Sequence, residues 1–210
     1  MINNYVLNAS GNLDAYIDEL EKNSRDSVAR VTSLIPVKDV DIVLYDNPAE
    51  AIENIGIGGY TPNDHLIFIS LNPKIQNFEK NIQNHLGRQI AHALHHALRW
   101  KNPGYGNSLL EALITEGLAD HFSYEAYRGE LEKWDEALSD NELEKIAGFA
   151  KQEYNKDTYS HEEWFLGANP KKLPNWAGYT LGFHLVDTYL KNHPDKKSST
   201  LYSVKAEEFI

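Results

Sequence analysis

From about Ile75 to Lys101 the chain repeats an apolar residue every three or four positions: Ile75, Phe78, Ile82, Leu86, Ile90, Leu94 and Leu98. The period is helical, and Asn102-Pro103-Gly104 breaks it. A helix of this length, about 40 Å at 1.5 Å per residue, dictates much of what the rest of the chain can build around it. Its last half carries three of the nine histidines, His92, His95 and His96. His92 and His96 are four apart, so they share one face. Two imidazoles on one face are half of a divalent-metal site. The motif that uses this spacing puts a glutamate directly after the first histidine, and here that position is Ala93.

After a short glycine-bearing loop, Ser108-Leu-Leu-Glu111 reads as a capping box opening a second helix through about Tyr127. Helices joined by so short a loop are expected to pack antiparallel. Glu116 lies on the second helix, and antiparallel packing would carry it over the histidine face as a third metal ligand. Asp120, four residues on, shares the face of Glu116 and is placed to accept a hydrogen bond from a ligand imidazole. His95 is expected to pack or to bond in that outer layer, and His121 to be structural or exposed. His161-Glu162-Glu163 echoes the motif, but Phe165 stands where a second histidine would be, so it is set aside.

At 210 residues the chain is long enough for one domain with a real core. Its 31 acidic and 20 basic residues give a net charge of −11, which argues against binding nucleic acid. With no cysteine, thiolate metal sites, disulfides and a cysteine nucleophile are excluded. No apolar run reaches membrane-spanning length and no signal-peptide pattern opens the chain, so a cytoplasmic location is the expectation, with no membrane partner.

Elsewhere, residues 12–35 read as a first helix stopped by Pro36, and Val40 to Tyr45 as a strand. Asn47-Pro48-Ala49-Glu50 predicts a helix start, ended by Gly56, Gly58 and Gly59. Gly58 to Thr61 is read as extended and His65 to Leu71 as a strand. Ser139 to Glu142 caps a helix to about Tyr154, and the stretch around Trp134 is read as helical too. Residues 155–175 read as an ordered loop, 176–192 as helix, and 206–209 as a short terminal helix.

The residues from His92 to Arg99, followed by Leu110 to Asp120, resemble a bacterial family of predicted zinc-dependent proteases whose core is His-Glu-x-His-His followed by Glu-Gly-Leu-Ala-Asp. The resemblance extends to Gly58–Pro62, Trp164-Phe165 and Trp176–Gly182, and so covers most of the chain. More distantly the layout is similar to gluzincins. It implies an α+β, zincin-like fold over residues 1–210, with a small twisted sheet packed on an active-site helix and a mostly helical C-terminal half. The parts would be helix and sheet (1–74), a metal-binding helix pair (75–128) and a helical remainder (129–210). It implies a zinc metallopeptidase acting on peptide or protein, with zinc on His92, His96 and Glu116. It also suggests Tyr179 as donor to the oxyanion, with His184 the runner-up, and residues 65–71 as an edge strand able to pair with extended substrate, or else simply a buried strand. Arg99 would pair with an acid near the site or stay a solvated charge.

Ala93 is the departure. A positioned general base contributes ~10²–10⁴ in rate, and alanine supplies none. The readings that remain are an engineered Glu→Ala knock-out, a natural pseudoprotease that binds zinc and peptides without turnover, and a purely structural helix pair.

Overall fold

The structure is a computed structural model describing residues 1–210. It is α+β, a four-stranded mixed sheet accompanied by helices, and its chain contacts divide it into two compact units, Met1–Lys101 and Asn102–Ile210.

The first unit opens with β1 (Ile2–Leu7), a strand the sequence pattern does not announce. Helix α1 (Ile17–Thr32) follows, entered through a single tight turn at Asp14–Tyr16. Its buried positions Leu20, Ser24, Ser27 and Val31 form one stripe. Ser24 reaches β1 directly, its hydroxyl donating to Asn4 Oδ1 at 2.6 Å. Three further strands are β2 (Val40–Asp46), β3 (Ile57–Tyr60) and β4 (Leu66–Leu71). The sheet order is β1-β2-β4-β3, with β1, β2 and β4 parallel and β3 antiparallel to β4. Ile42 pairs with Ile67 and Leu44 with Ile69, and all four are fully buried on the face toward the core. That alternation fixes the register, because a slip of one residue would put these side chains on the wrong face.

Two expectations change here. Residues 66–71 form an interior strand, hydrogen-bonded to β2 on one side and β3 on the other, so they have no free edge to offer a substrate. They are the buried strand of the alternative reading, and the sheet's antiparallel edge is β3. Residues 47–56 form no helix. The Asn47 N–H donates to Leu71 O, continuing the strand ladder, while Gly56 N closes a separate turn on Ile52 O. Glu50, expected in the first helical turn, instead accepts from the hydroxyls of Tyr45 (3.0 Å) and Ser70 (3.3 Å).

The long helix runs from Phe78 to Lys101 as α2 (Phe78–Asn81), a wider π turn (Ile82–Leu86) and α3 (Gly87–Lys101). Apolar residues spaced by four drift about 40° per step around an α-helix. Phe78, Ile82, Leu86, Ile90, Leu94 and Leu98 are nevertheless all buried, because most residues of α3 are buried whichever face they occupy. Helix α3 packs against α1 and against β3 and β4.

The second unit is helical: α4 (Leu109–Tyr127), α5 (Asp140–Ala150), α6 (His161–Phe165), α7 (Ala177–Asn192), α8 (Ser198–Leu201) and a final tight turn at Ala206–Phe209. Helix α6 lies inside the segment read as loop, and the stretch around Trp134 is a series of turns rather than helix. The axis of this unit is α4, packed chiefly against α7. The two backbones touch where Gly117 meets Gly182: a Cβ on Gly117 would overlap Gly182 O, and one on Gly182 would overlap Leu113 O. Leu113, Leu118, Trp164, Phe165 and Leu181 belong to the core of this unit.

Candidate metal centre

On α3, His92 is half-buried, His96 is 7% exposed and His95 is wholly buried. The Nε2 atoms of His92 and His96 stand 2.8 Å apart, with the rings edge to face. Two nitrogens bonded to one tetrahedral zinc at about 2.0–2.1 Å stand roughly 3.3 Å apart, so a small rotation of either ring turns this nitrogen pair into two ligands. Between them in sequence, Ala93 is 1% exposed. Its carbonyl accepts from Thr61 Oγ1 at 3.3 Å, and Trp100 Nε1 donates to Thr61 O at 3.0 Å. The end of β3 is thereby tied to α3 one residue from His92. Arg99 is 1% exposed, which removes the solvated alternative for its charge.

On α4, Glu116 is 5% exposed. The hydroxyl of Tyr105, in the loop ahead of the helix, donates to Glu116 Oε1 at 2.5 Å. Burial, then the charge of Glu116, hold the Tyr105 phenol well above its ordinary range, so it remains a donor. The loop is secured by the predicted capping box: Ser108 Oγ accepts from Glu111 N, and Glu111 Oε2 accepts from the N–H groups of Asn107 and Ser108, both at 2.9 Å. Asp120 is 2% exposed, and its Oδ1 accepts from Trp134 Nε1 at 3.2 Å. Trp134 is fixed in turn by Thr180 of α7, whose hydroxyl donates to Trp134 O at 2.7 Å. Asp135, 4% exposed, accepts from Glu132 N at 2.9 Å. Burial, then the Asp120 charge, push its carboxyl up to about 9, which favours the protonated acid beside Asp120.

Tyr179 is half-buried on α7, edge-on to Phe165 with ring centroids 5.1 Å apart. Burial, then the charges of Glu116 and Asp120, keep its phenol protonated. His184 is exposed and lines a cavity of about 540 Å³ together with His121 and Asp135. His121 is structural rather than exposed: it stacks on Phe183 at 3.9 Å, and its Nε2 lies 3.0 Å from Phe183 O. His161 stacks on Phe165 at 4.4 Å.

One ligating atom from each of His92, His96 and Glu116 lies within 4.8 Å of the other two, so these three could hold a metal ion. Two imidazoles and one carboxylate are the donor set of a zinc site that keeps a position open. Tyr105, Trp134 and Asp135 escape a reading of the sequence. All three sit in connecting segments, and the one hint is that Tyr105 stands in Gly104-Tyr105-Gly106, just before a capping box.

No helix is long and apolar enough to cross a membrane. No curated protein and no solved structure matches this chain. A family described as predicted Zn-dependent protease (DUF2268) matches residues 18–210. The match takes in both α3 and α4 and nearly all that surrounds them, and the chain belongs to this family of predicted Zn-dependent proteases.

Proposed function

We propose that the protein is a zinc metallopeptidase scaffold in which His92, His96 and Glu116 hold the metal, and that Ala93 leaves it without a general base. The proximity of those three side chains carries the reading. When bound, zinc polarises a carbonyl and makes a water molecule more acidic. The remaining work falls to the chain. Asp120 orients a ligand imidazole, with His95 packed in the same outer layer. Tyr179, a protonated phenol near the Glu116 charge, donates a hydrogen bond to the oxygen that gains charge.

Strand β3 is the segment suited to an extended peptide. It pairs with β4 on one side only, and Tyr60 at its end is 62% exposed. Main-chain hydrogen bonds along such an edge would hold a substrate without reading its side chains. Thr61 ties that strand's end to Ala93 and so sets its position against His92. The substrates in this reading are peptides or proteins.

Position 93 decides turnover. Alanine neither accepts nor delivers a proton, which removes about 10²–10⁴ in rate while sparing the metal ligands. Purified without chelators, the protein is expected to carry about one zinc per chain by elemental analysis; a folded chain that takes up none overturns the reading. Ala93→Glu is expected to yield peptide cleavage that a chelator abolishes. A folded, zinc-loaded Ala93→Glu variant that cleaves nothing in a broad peptide library favours the natural pseudoprotease instead.

A further inference from the structure

The side chain that Glu116 meets on its own unit is not one that the metal motif contains. A buried carboxylate on a helix has three torsions to fix before it can act as a ligand, and solvent does not hold it. Tyr105 supplies that hold. Its hydroxyl donates to Glu116 Oε1 at 2.5 Å, while its carbonyl lies 3.4 Å from Thr115 Oγ1, the hydroxyl of the residue before Glu116. The tyrosine therefore grips α4 at two consecutive residues, once through its backbone and once through its side chain.

The loop is built to make this grip possible. Gly104 and Gly106 have φ of +108° and +88°, a region that favours glycine, and a Cβ on Gly106 would overlap the Glu111 side chain. Glu111 in turn binds the backbone N–H of Asn107 and Ser108, which closes the loop onto the first turn of α4. A helix cap thus also fixes where the Tyr105 ring stands. Tyr159 offers a contrast: it too lies within the field of Glu116, but its hydroxyl is 3.4 Å from His161 Nδ1.

We propose that Tyr105 is a positioning residue for the metal, its hydroxyl holding Glu116 Oε1 and so fixing the orientation in which the carboxylate would meet an ion. The proposal rests on Glu116 being a ligand, and it adds a residue outside the His-x-x-x-His and Glu-x-x-x-Asp pattern. Hydrogen-bond partners of ligands typically shift metal affinity 10–100-fold.

The test compares Tyr105→Phe with Tyr159→Phe, each titrated with zinc against a chromophoric chelator and each melted without metal. Tyr105→Phe is expected to bind zinc at least tenfold more weakly and to change the visible spectrum of the cobalt-loaded protein. Tyr159→Phe is expected to do neither. In a Glu116→Ala background, Tyr105→Phe should leave the residual affinity unchanged, a dependence that loss of packing alone would not show. If Tyr105→Phe fails to fold, Glu116→Gln keeps the tyrosine intact, and the downfield hydroxyl proton resonance of Tyr105 must move in that variant. Equal zinc affinity in Tyr105→Phe and the parent overturns the proposal, as does an unmoved hydroxyl resonance. A parent chain that binds no zinc removes the proposed function itself, and the proposal with it.

Discussion

On α3 the two histidines lean on each other, nitrogen to nitrogen at 2.8 Å, a contact that a shared metal would replace. On α4 the glutamate is held before any metal arrives, by a phenol from the preceding loop, on a helix whose backbone touches α7 through a pair of glycines. One helix offers candidate ligands whose mutual contact is removable; the other offers a candidate fixed by folding. To bind through both Nε2 atoms, the ring that donates in this contact must carry its proton on Nδ1 instead. The glutamate's geometry depends on how well its own unit is packed.

The sharpest way to break this contrast is at the glycine contact. Gly117→Ala puts a methyl into the α7 backbone, and overpacking of this kind costs about 1–3 kcal/mol, here expected at the upper end. Urea unfolding measures it. A loss of less than about 0.5 kcal/mol, the range of an ordinary surface change, would mean that α4 is not fixed by that contact.

A second variant acts through pH. Asp135 ionises near 3.8 when unfolded but keeps its proton to about 9 in the fold. Between those values only the unfolded chain releases this proton, so the group lowers stability as pH rises. Asp135→Asn keeps a donor toward Asp120 and removes the titration. Its melting temperature should match the parent's near pH 4 and exceed it by a growing margin toward pH 8. A constant difference across that range would show that the carboxyl is not held protonated.

The smallest effect belongs to α3. His92→Ala in the metal-free protein gives up the contact with His96, a hydrogen bond worth about 1 kcal/mol, yet should abolish tight zinc binding. A large loss of metal-free stability would erase the difference between the two helices.

The long helix and α4 are legible in the sequence because their signals are local: a periodic apolar series, a Pro-Gly stop and a capping box, and the expected Ser108–Glu111 bonds are present. Strand β1 is not legible, because it is a sheet edge with Tyr5 and Leu7 exposed and it has no clear apolar face. Residues 66–71 read as a strand from composition, but their interior position depends on β2 and β3 pairing with them from either side, which no local signal announces. Asn47-Pro48 has the chemistry of a helix start and loses to the ladder bond with Leu71. At the candidate site, His92 and His96 are legible from their four-residue spacing on one helix and Glu116 from its place on the next, and the three could hold a metal ion. The residues that hold Glu116 and Asp120 reach them from loops, where no period exists to reveal a side chain's direction.

The burial of Ala93 has a consequence for any attempt to restore turnover. At 1% exposure the position is almost out of reach of water, and a carboxyl placed there would pay a desolvation cost for its charge. Burial would raise its affinity for protons, while a metal bound beside it would lower it. The pH through which the rate of an Ala93→Glu variant climbs therefore reports which prevails at that position, the enclosing fold or the metal's charge.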